Sequence, residues 1–248
     1  MITISLKFKM VGYKGYSNIR CQHRGQILMV ALSRTKKFNA FSDGLYNDLI
    51  SVLKKSSVDP SVTVLLVTGD GKFFSSGADL KDPSNNFKPA EDGMTSRNTL
   101  DRPAGRFMME LLGYTKVLVA AVNGPAVGIA VTMLLHFDLV YLSNNATLWA
   151  PFTRLALVPE LCSSVTFEAR MGLSKANEML LLGKQIDAKT AENWNLCSCI
   201  FEDVDKCGDA FHPRSIGTQV CDKIEKELLS IPLANNTSKV STAIHLLL

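Results

Sequence analysis

The chain has 248 residues, of which 46% are hydrophobic and 20% are charged, and its formal net charge at pH 7 is +4. That length suits one large domain, or a core domain with a small appendage, and it needs no disulfide or metal to complete a hydrophobic core. A weak and dispersed positive charge is compatible with an anionic small ligand, but it argues against a nucleic-acid partner.

The cysteine pattern and the apolar stretches exclude two further classes of protein. There are six cysteines, but no CxxC pair and no Cys/His set at the spacing of a zinc site. We therefore expect neither a disulfide framework nor a bound metal. The most apolar stretch, residues 117–142, is interrupted by Asn123 and Pro125 and carries His136 and Asp138. It is too broken for a membrane helix, so we expect no transmembrane span.

Strands and helices alternate along the predicted secondary structure. In chain order we predict a strand at 26–32, a helix at 41–55, a strand at 62–68, a helix at 102–113, a strand at 117–122, a helix at 128–136, a strand at 139–142, helices at 163–171, 174–182 and 187–194, a strand at 200–204 and a helix at 216–229. Ser42, Ser174 and Asp187 are the predicted helix N-caps. Residues 82–100 are polar and contain two prolines, which predicts a mobile loop. The alternation predicts an α/β fold. The strand at 62–68 (VTVLLVT) is apolar on both faces, as expected at the centre of a parallel sheet.

Two of the predicted strand-to-helix junctions contain glycine and leave backbone amides unpaired. Gly77 lies in residues 73–80 (FFSSGADL) and allows the next amide, that of Ala78, to point into a cleft. Residues 123–129 (NGPAVGI) lead directly into a helix, whose first N–H groups have no intrahelical acceptor. Either loop alone is compatible with an ordinary turn. Together, two amides from two such loops can form an oxyanion hole.

Four segments, in order along the chain, resemble motifs of the crotonase (enoyl-CoA hydratase/isomerase) superfamily. Residues 32–40 (LSRTKKFNA) resemble its L-x-R-P-x-x-x-N-A segment, and residues 74–80 (FSSGADL) resemble its F-x-x-G-x-D-[LI] loop. Residues 122–128 (VNGPAVG) resemble its V-N-G-x-A-x-G loop, and residues 137–138 (FD) stand at its C-D position. The similarity extends over about residues 19–230 and implies a crotonase-like spiral core of ββα units.

The resemblance implies that the chain binds an acyl-CoA thioester and needs no cofactor. The thioester oxygen is expected between the backbone amides of Ala78 and Ile129. These donors stabilise the enolate that forms when an α-proton leaves. The resemblance also implies substrate contacts from residues of these loops and of the surrounding pocket: Lys37, Ala40, Ser76, Gly77, Asp79, Leu80, Gly128, Phe152, Leu155 and Leu161. A lysine at 36 or 37 is expected to meet the CoA phosphates.

The position of the acidic residues selects among the reactions of this superfamily. Hydratases of the superfamily carry two glutamates, at positions that this chain fills with Thr132 and Phe152. With no carboxylate at either point, a water molecule has no base to activate it. Residues 157–164 (LVPELCSS) instead resemble the x-P-E-G-C-S-S segment of peroxisomal-type Δ3,Δ2-enoyl-CoA isomerases. The resemblance implies that Glu160 moves a proton from C2 to C4 of a 3-enoyl-CoA.

The neighbours of Glu160 in the sequence are mostly apolar, among them Val158 and Val165. An apolar cleft raises the pKa of a carboxyl and makes it a better proton shuttle near neutral pH. From the residues alone, a helix N-terminal carboxylate before Ser163 is the favoured interpretation of Glu160, and only the resemblance favours the catalytic role. His136 is interpreted as a core or interface histidine, because no G-x-S-x-G elbow supports a hydrolase triad.

Two other functions stay open beside the isomerase. One is another crotonase reaction, such as hydration or thioester hydrolysis. The other is a non-catalytic acyl-CoA-binding or scaffold protein. Two departures from the family pattern keep this second alternative in view: Leu161 replaces the glycine after the glutamate, and the C-terminal region is short. Thr35 also replaces the proline that follows the motif arginine.

The resemblance divides the chain into an N-terminal extension (1–18), a crotonase-like spiral core (19–204) and a short C-terminal helical region (205–248). It implies a homotrimer or a dimer of trimers and a peroxisomal or mitochondrial location. The last residues are not the S-K-L peroxisomal signal, so the termini do not decide the organelle. Residues 207–213 resemble nothing in the family.

Overall fold

The structure, a computed structural model, describes residues 12–82, 101–202, 208–212 and 215–230. Four predictions therefore lie wholly or partly outside the described residues: the N-terminal extension, the loop at 82–100, the strand at 200–204 and the C-terminal helical region.

A six-stranded sheet forms the centre of the molecule. Its strands are β1 (Ile19–Arg24), β2 (Ile27–Leu32), β3 (Val64–Gly69), β4 (Val117–Val122), β6 (Leu139–Ser143) and β9 (Cys199–Phe201), in the order β1-β2-β3-β4-β6-β9. A smaller three-stranded sheet contains β5 (Ala126–Val127), β7 (Thr147–Trp149) and β8 (Ile186–Asp187), in the order β5-β7-β8. In the large sheet only the β1–β2 pair is antiparallel, and the other pairs are parallel.

Seven helices are described around the sheets. They are α1 (Asp43–Val58), α2 (Pro103–Leu112), α3 (Ile129–Thr132), α4 (Ser163–Met171), α5 (Leu173–Leu180), α6 (Ala188–Asn193) and α7 (Ile216–Glu227). Ser42 caps α1 by accepting a hydrogen bond from the Leu45 amide, and Asp187 caps α6 through the Thr190 amide, as predicted. The predicted cap at Ser174 is wrong, because α5 begins at Leu173 and Gly172 occupies the N-cap position.

The large sheet is buried on both faces, which confirms the predicted α/β class and the central parallel strand. Along β2, Leu28, Val30 and Leu32 belong to one hydrophobic cluster, whereas Ile27 and Met29 belong to another. This alternation follows from the two-residue period of a strand. α1 and α2 cover the first face, and α7 covers the second face.

Four strands were not predicted. Three of them are short, namely β5, β7 and β8, and the fourth is β1, which pairs with β2 over its whole length. The helix predicted at 128–136 is α3 followed by a 3₁₀ turn, Met133–His136. None of the described helices is both long enough and apolar enough to span a bilayer.

Candidate active site

The two glycine loops lie side by side. The amides of Phe74 and Ser75 donate to the Pro125 carbonyl at 3.1 and 3.2 Å, and the Val127 amide donates to the Ser75 carbonyl at 3.0 Å. These bonds join the loop that follows β3 to the loop that follows β4. The predicted convergence of the two motifs is therefore present in the fold.

Gly77 is required where these loops meet. Its φ of +85° is in the left-handed region, and a Cβ atom built there lies 2.7 Å from the Val127 carbonyl oxygen. Any side chain at this position would have to push the loops apart, in a conformation that already disfavours it. The absence of a side chain thus permits the close approach of the two loops.

Ala78 occupies a gap between two paired amides. The Phe41 amide donates to the Gly77 carbonyl at 2.8 Å, and the Asp79 amide donates to the Phe41 carbonyl at 2.9 Å. Ala78 lies opposite Phe41 in this short bridge, and its own amide has no hydrogen-bond acceptor among the described residues. It is only half-buried, so a ligand oxygen can reach this donor.

Ile129 supplies the second unpaired amide. Gly128 precedes it with φ +57° and ψ −121°, and donates its amide to the Trp149 carbonyl at 2.8 Å. Ile129 is the first residue of α3, where an N–H group has no intrahelical acceptor. No acceptor for it occurs elsewhere in the described ranges. The two amides of the predicted oxyanion hole are both free, on loops that touch.

Glu160 lies in the irregular segment between a 3₁₀ turn, Thr153–Leu155, and α4. The carboxyl is half-buried, and burial alone raises its pKa from the usual value near 4.5 to about 7. No described side chain forms a hydrogen bond or ion pair with it. Such a carboxyl gains or loses a proton at neutral pH with little free-energy cost, which is the property required of a general acid–base.

Tyr46 lies beneath the first glycine loop and is influenced electrostatically by Glu160. This tyrosine of α1 is 1% exposed, and its ring packs on Phe41 with centroids 5.2 Å apart and on Phe107 at 5.8 Å. Burial raises the pKa of its phenol, and the negative charges of Glu160 and Asp82 raise it further. Glu160 is therefore within electrostatic reach of the side chain that packs beneath the bridge to Ala78.

The apolar surroundings of Glu160 differ from those that the sequence indicates. Phe152 and Leu161 are buried, 4% and 5% exposed. Leu155 is 50% exposed, and Val158 and Val165 are 82% and 66% exposed. Val158 and Val165 are apolar neighbours of Glu160 in the sequence, but both side chains are exposed and do not enclose it.

The other predicted contact residues lie in the first loop or in the segment that packs against it. Lys37 and Leu80 are exposed, whereas Ala40 is buried and its carbonyl accepts a hydrogen bond from Arg34. The Asp79 carboxylate pairs with the Arg34 guanidinium at 3.2 Å. Arg34 therefore binds both Ala40 and Asp79 and holds these two segments together. The Ser76 hydroxyl lies 3.5 Å from the Lys37 carbonyl oxygen.

The two positions that carry glutamate in hydratases have other roles here. Thr132 is fully buried, and its hydroxyl donates to the Ile129 carbonyl at 3.3 Å within its own helix. Phe152 is a buried aromatic residue whose carbonyl accepts the amides of Leu155 and Leu157. Neither position presents an acid to the cleft.

Sequence reasoning missed two residues of this region. Tyr46 has the spacing of an ordinary core residue on an amphipathic helix, and nothing in the sequence pairs it with Glu160. His136 was assigned to the core or an interface, but its ring Nε2 lies 2.9 Å from the Leu161 carbonyl oxygen, next to Glu160. The only sequence signal was a lone histidine in an otherwise apolar stretch. Among the described residues, no group of three His, Cys, Asp or Glu side chains lies close enough to hold a metal.

Two curated relatives match most of this chain. Enoyl-CoA delta isomerase 2 of Rattus norvegicus is 42% identical over 178 residues, which cover 71% of this chain and 44% of the relative. Peroxisomal enoyl-CoA delta isomerase 3 of Mus musculus is 41% identical over 175 residues, which cover 71% of this chain and 54% of the relative. The chain spans about half the length of the curated relatives that it matches.

A solved structure and a family profile agree with these matches. The crystal structure of an enoyl-CoA hydratase/isomerase from Pseudoalteromonas atlantica T6c has a TM-score of 0.78 and 28% sequence identity, covering 93% of this chain and 84% of that one. The profile of the enoyl-CoA hydratase/isomerase family matches residues 22–224. The crotonase fold expected from the motifs is therefore confirmed, and the chain belongs to the enoyl-CoA hydratase/isomerase family.

Proposed function

We propose that the chain is a Δ3,Δ2-enoyl-CoA isomerase, which converts a 3-enoyl-CoA into a trans-2-enoyl-CoA. The observation that carries the proposal is Glu160, a carboxyl with a pKa raised to about 7 by burial, in a site with no acid at Thr132 or Phe152. The names of the relatives from rat and mouse support the same reaction. No cofactor takes part in the proposed chemistry.

The proposed reaction is one proton moved by one carboxylate. The thioester oxygen accepts hydrogen bonds from the amides of Ala78 and Ile129. Glu160 removes a proton from C2, the electron pair delocalises over C2, C3, C4 and the thioester oxygen, and the two amides stabilise that dienolate. The protonated Glu160 then returns the proton to C4, so the double bond moves from C3–C4 to C2–C3 and the carboxylate is regenerated.

The pocket residues have supporting roles in the proposal. Phe152 and Leu161 are buried, and in the proposal they exclude water from the dienolate, which would otherwise favour side reactions. Lys37 and Leu80 are exposed, and in the proposal they contact the CoA moiety and its phosphates. Gly77 and Gly128 give the oxyanion donors their geometry, and Ser76, Ala40, Asp79 and Leu155 complete the contact region.

Three features of the biological context belong to the same proposal. The family resemblance suggests a homotrimer or a dimer of trimers, which analytical ultracentrifugation would measure. A peroxisomal or mitochondrial location follows from the proposed reaction, and the mouse relative is named as peroxisomal. The acyl-CoA is the only partner that the proposed reaction requires.

The proposal is tested with trans-3-enoyl-CoA and trans-2-enoyl-CoA as separate substrates. The wild-type chain should convert the first into trans-2-enoyl-CoA and release little 3-hydroxyacyl-CoA from either. Glu160→Gln should keep the fold and CoA binding but reduce isomerisation by about 10²- to 10⁴-fold, the usual contribution of a positioned acid–base group. Glu168→Gln is the matched control, because Glu168 is an exposed glutamate of neighbouring α4.

Two outcomes would contradict the proposal. Near-normal turnover by Glu160→Gln would remove this carboxylate from the mechanism. Formation of 3-hydroxyacyl-CoA at a rate that rivals the double-bond shift would favour a hydratase, despite the residues at 132 and 152.

A further inference from the structure

The backbone directly after Glu160 is in an unfavourable conformation. Leu161 has φ +49° and Cys162 has φ +55°, so two consecutive residues with side chains occupy the left-handed region. For an L-residue this region brings Cβ close to the following carbonyl oxygen, and residues other than glycine visit it mainly where contacts force them to. Something in the surrounding structure must therefore hold this segment.

His136 supplies such a contact. Its Nε2 lies 2.9 Å from the Leu161 carbonyl oxygen. A carbonyl oxygen can only accept, so Nε2 carries the hydrogen and donates it. The carbonyl group of Leu161 is thus held in place by the His136 side chain, which belongs to another element. Leu161 is itself buried, 5% exposed, so the packing of its side chain also holds this residue in place.

Backbone hydrogen bonds join the strained turn to the first turn of α4. The Ser163 amide donates to the Glu160 carbonyl at 3.0 Å, and the Val165 and Thr166 amides donate to the Cys162 carbonyl at 2.9 and 3.0 Å. The Glu160 and Cys162 carbonyls therefore accept hydrogen bonds from amides of α4, whereas the Leu161 carbonyl between them accepts one from His136. Without that bond, the Leu161 carbonyl would lose the partner that favours its orientation.

His136 also belongs to the element that carries the second oxyanion donor. Ile129 begins α3, and the 3₁₀ turn Met133–His136 continues directly from it. One short helical segment therefore has the Ile129 amide at its first residue and the bond to the base-bearing turn at its last. A shift of that segment relative to the turn changes the separation between the amide and the Glu160 carboxylate.

We propose that His136 is a positioning residue, whose hydrogen bond to the Leu161 carbonyl fixes the Glu160 carboxylate relative to the Ile129 amide. The role of that separation in turnover rests on the isomerase proposed above, but the geometric coupling does not. A misplacement of about 1 Å in a catalytic group can cost on the order of 10²-fold in rate. The bond therefore has a functional effect beyond its contribution to stability.

The test compares two substitutions of the same side chain. His136→Phe keeps a planar ring but removes the donor, and His136→Gln keeps an N–H donor. We expect His136→Phe to lower kcat by about 10- to 100-fold with a KM change of less than about threefold, and His136→Gln to recover most of that loss. His23→Ala is the control, since His23 lies on β1, away from the site, with its ring tilted against that of Tyr13 at a centroid distance of 5.3 Å.

A second measurement does not depend on turnover. The Glu160 carboxyl is titrated by ¹³C NMR on glutamate-labelled protein, with its signal assigned by Glu160→Gln. In His136→Phe the pKa should fall from about 7 toward the usual glutamate value, because a carboxylate released from its position reaches water. His136→Gln and His23→Ala should keep the raised value. If His136→Phe is too unstable for these measurements, His136→Leu replaces it, because leucine also lacks the N–H donor.

The outcomes separate the two proposals. Wild-type kcat and an unchanged Glu160 pKa in folded His136→Phe would overturn the positioning role while leaving the isomerase intact. A wild-type chain without isomerase activity would overturn the proposed function, whereas a pKa shift in His136→Phe would still establish the positioning role.

Discussion

At the scale of single residues, the raised pKa of Glu160 predicts how the reaction depends on pH. The base must be ionised to remove a proton from C2, and burial raises its pKa to about 7. We therefore expect kcat/KM to rise about tenfold per pH unit below pH 7 and to level off above it. A profile measured from about pH 5 to pH 9 checks this, and a flat profile would exclude Glu160 as the titrating base.

The same shift predicts a change of stability with pH. The folded pKa lies above the unfolded value, so the folded state binds more protons between about pH 4.5 and pH 7. The free energy of unfolding should fall as pH rises through that window. Glu160→Gln does not titrate there, so its stability relative to wild type should increase by up to about 3 kcal/mol across it. Chemical denaturation at both ends of the window measures the difference. If the stability difference between Glu160→Gln and the wild type were the same at both pH values, the pKa of Glu160 would not be raised by folding.

Much of this residue-level picture follows from the sequence, and the remainder depends on distant contacts. The tight turns at Gly77 and Gly128 are predictable from the sequence, because glycine adopts the positive φ values found there more readily than any residue with a Cβ atom. The roles of Tyr46 and His136 depend on partners 114 and 25 positions away along the chain, Glu160 and Leu161. No local period or spacing predicts such pairs.

At the scale of elements, the contact between the two glycine loops predicts a severe effect of a single methyl group. In Gly77→Ala the new Cβ would meet the Val127 carbonyl at 2.7 Å, at a φ of +85°. The loops must separate, which moves the Ala78 amide away from Ile129. We expect at least about a 10²-fold loss of kcat/KM together with a lower melting temperature. Gly12→Ala is the control, because a Cβ there meets nothing within 4 Å. Normal activity in Gly77→Ala would show that the loop contact does not set the donor geometry.

The elements with a clear apolar pattern were predictable, whereas most of the shortest strands and the mostly polar β1 (IRCQHR) were not, for a physical reason. α1, α4 and β4 contain enough residues for a hydrophobic period, a cap or an apolar run to appear in the sequence. β5, β7 and β8 have only two or three residues each, too few for any period. Their pairing is set by the fold around them. α5 shows a different failure, since its predicted serine cap lies inside a helix that begins one residue earlier.

At the scale of the whole molecule, residues 208–212 connect two distant parts of the chain. The Asp70 carboxylate, 5% exposed as a residue, accepts Arg20 Nε at 2.7 Å and the Ala210 amide at 3.1 Å. Arg20 also pairs with Asp209 at 2.6 Å, and its guanidinium lies 4.7 Å from the Phe211 ring centroid. These contacts join β1 and the turn after β3 to the segment that precedes α7.

Asp70 is therefore expected to control how firmly the final described helix is attached. In Asp70→Asn the buried anion is lost, so Arg20 and the Ala210 amide are left with a weaker acceptor. Hydrogen bonds to charged groups contribute about 1.5–3 kcal/mol each, which for a chain of this size corresponds to a melting temperature lower by about 3–12 °C. Because α7 covers one face of the sheet, its amides should also exchange with solvent faster, as measured by hydrogen–deuterium exchange. Asp222→Asn is the matched control, since the Asp222 side chain is 58% exposed where it pairs with Arg24, and an exposed pair contributes less than about 1 kcal/mol. Equal shifts in the two variants would mean that the Asp70 cluster is no more than a surface ion pair, and that burial alone attaches α7 to the sheet.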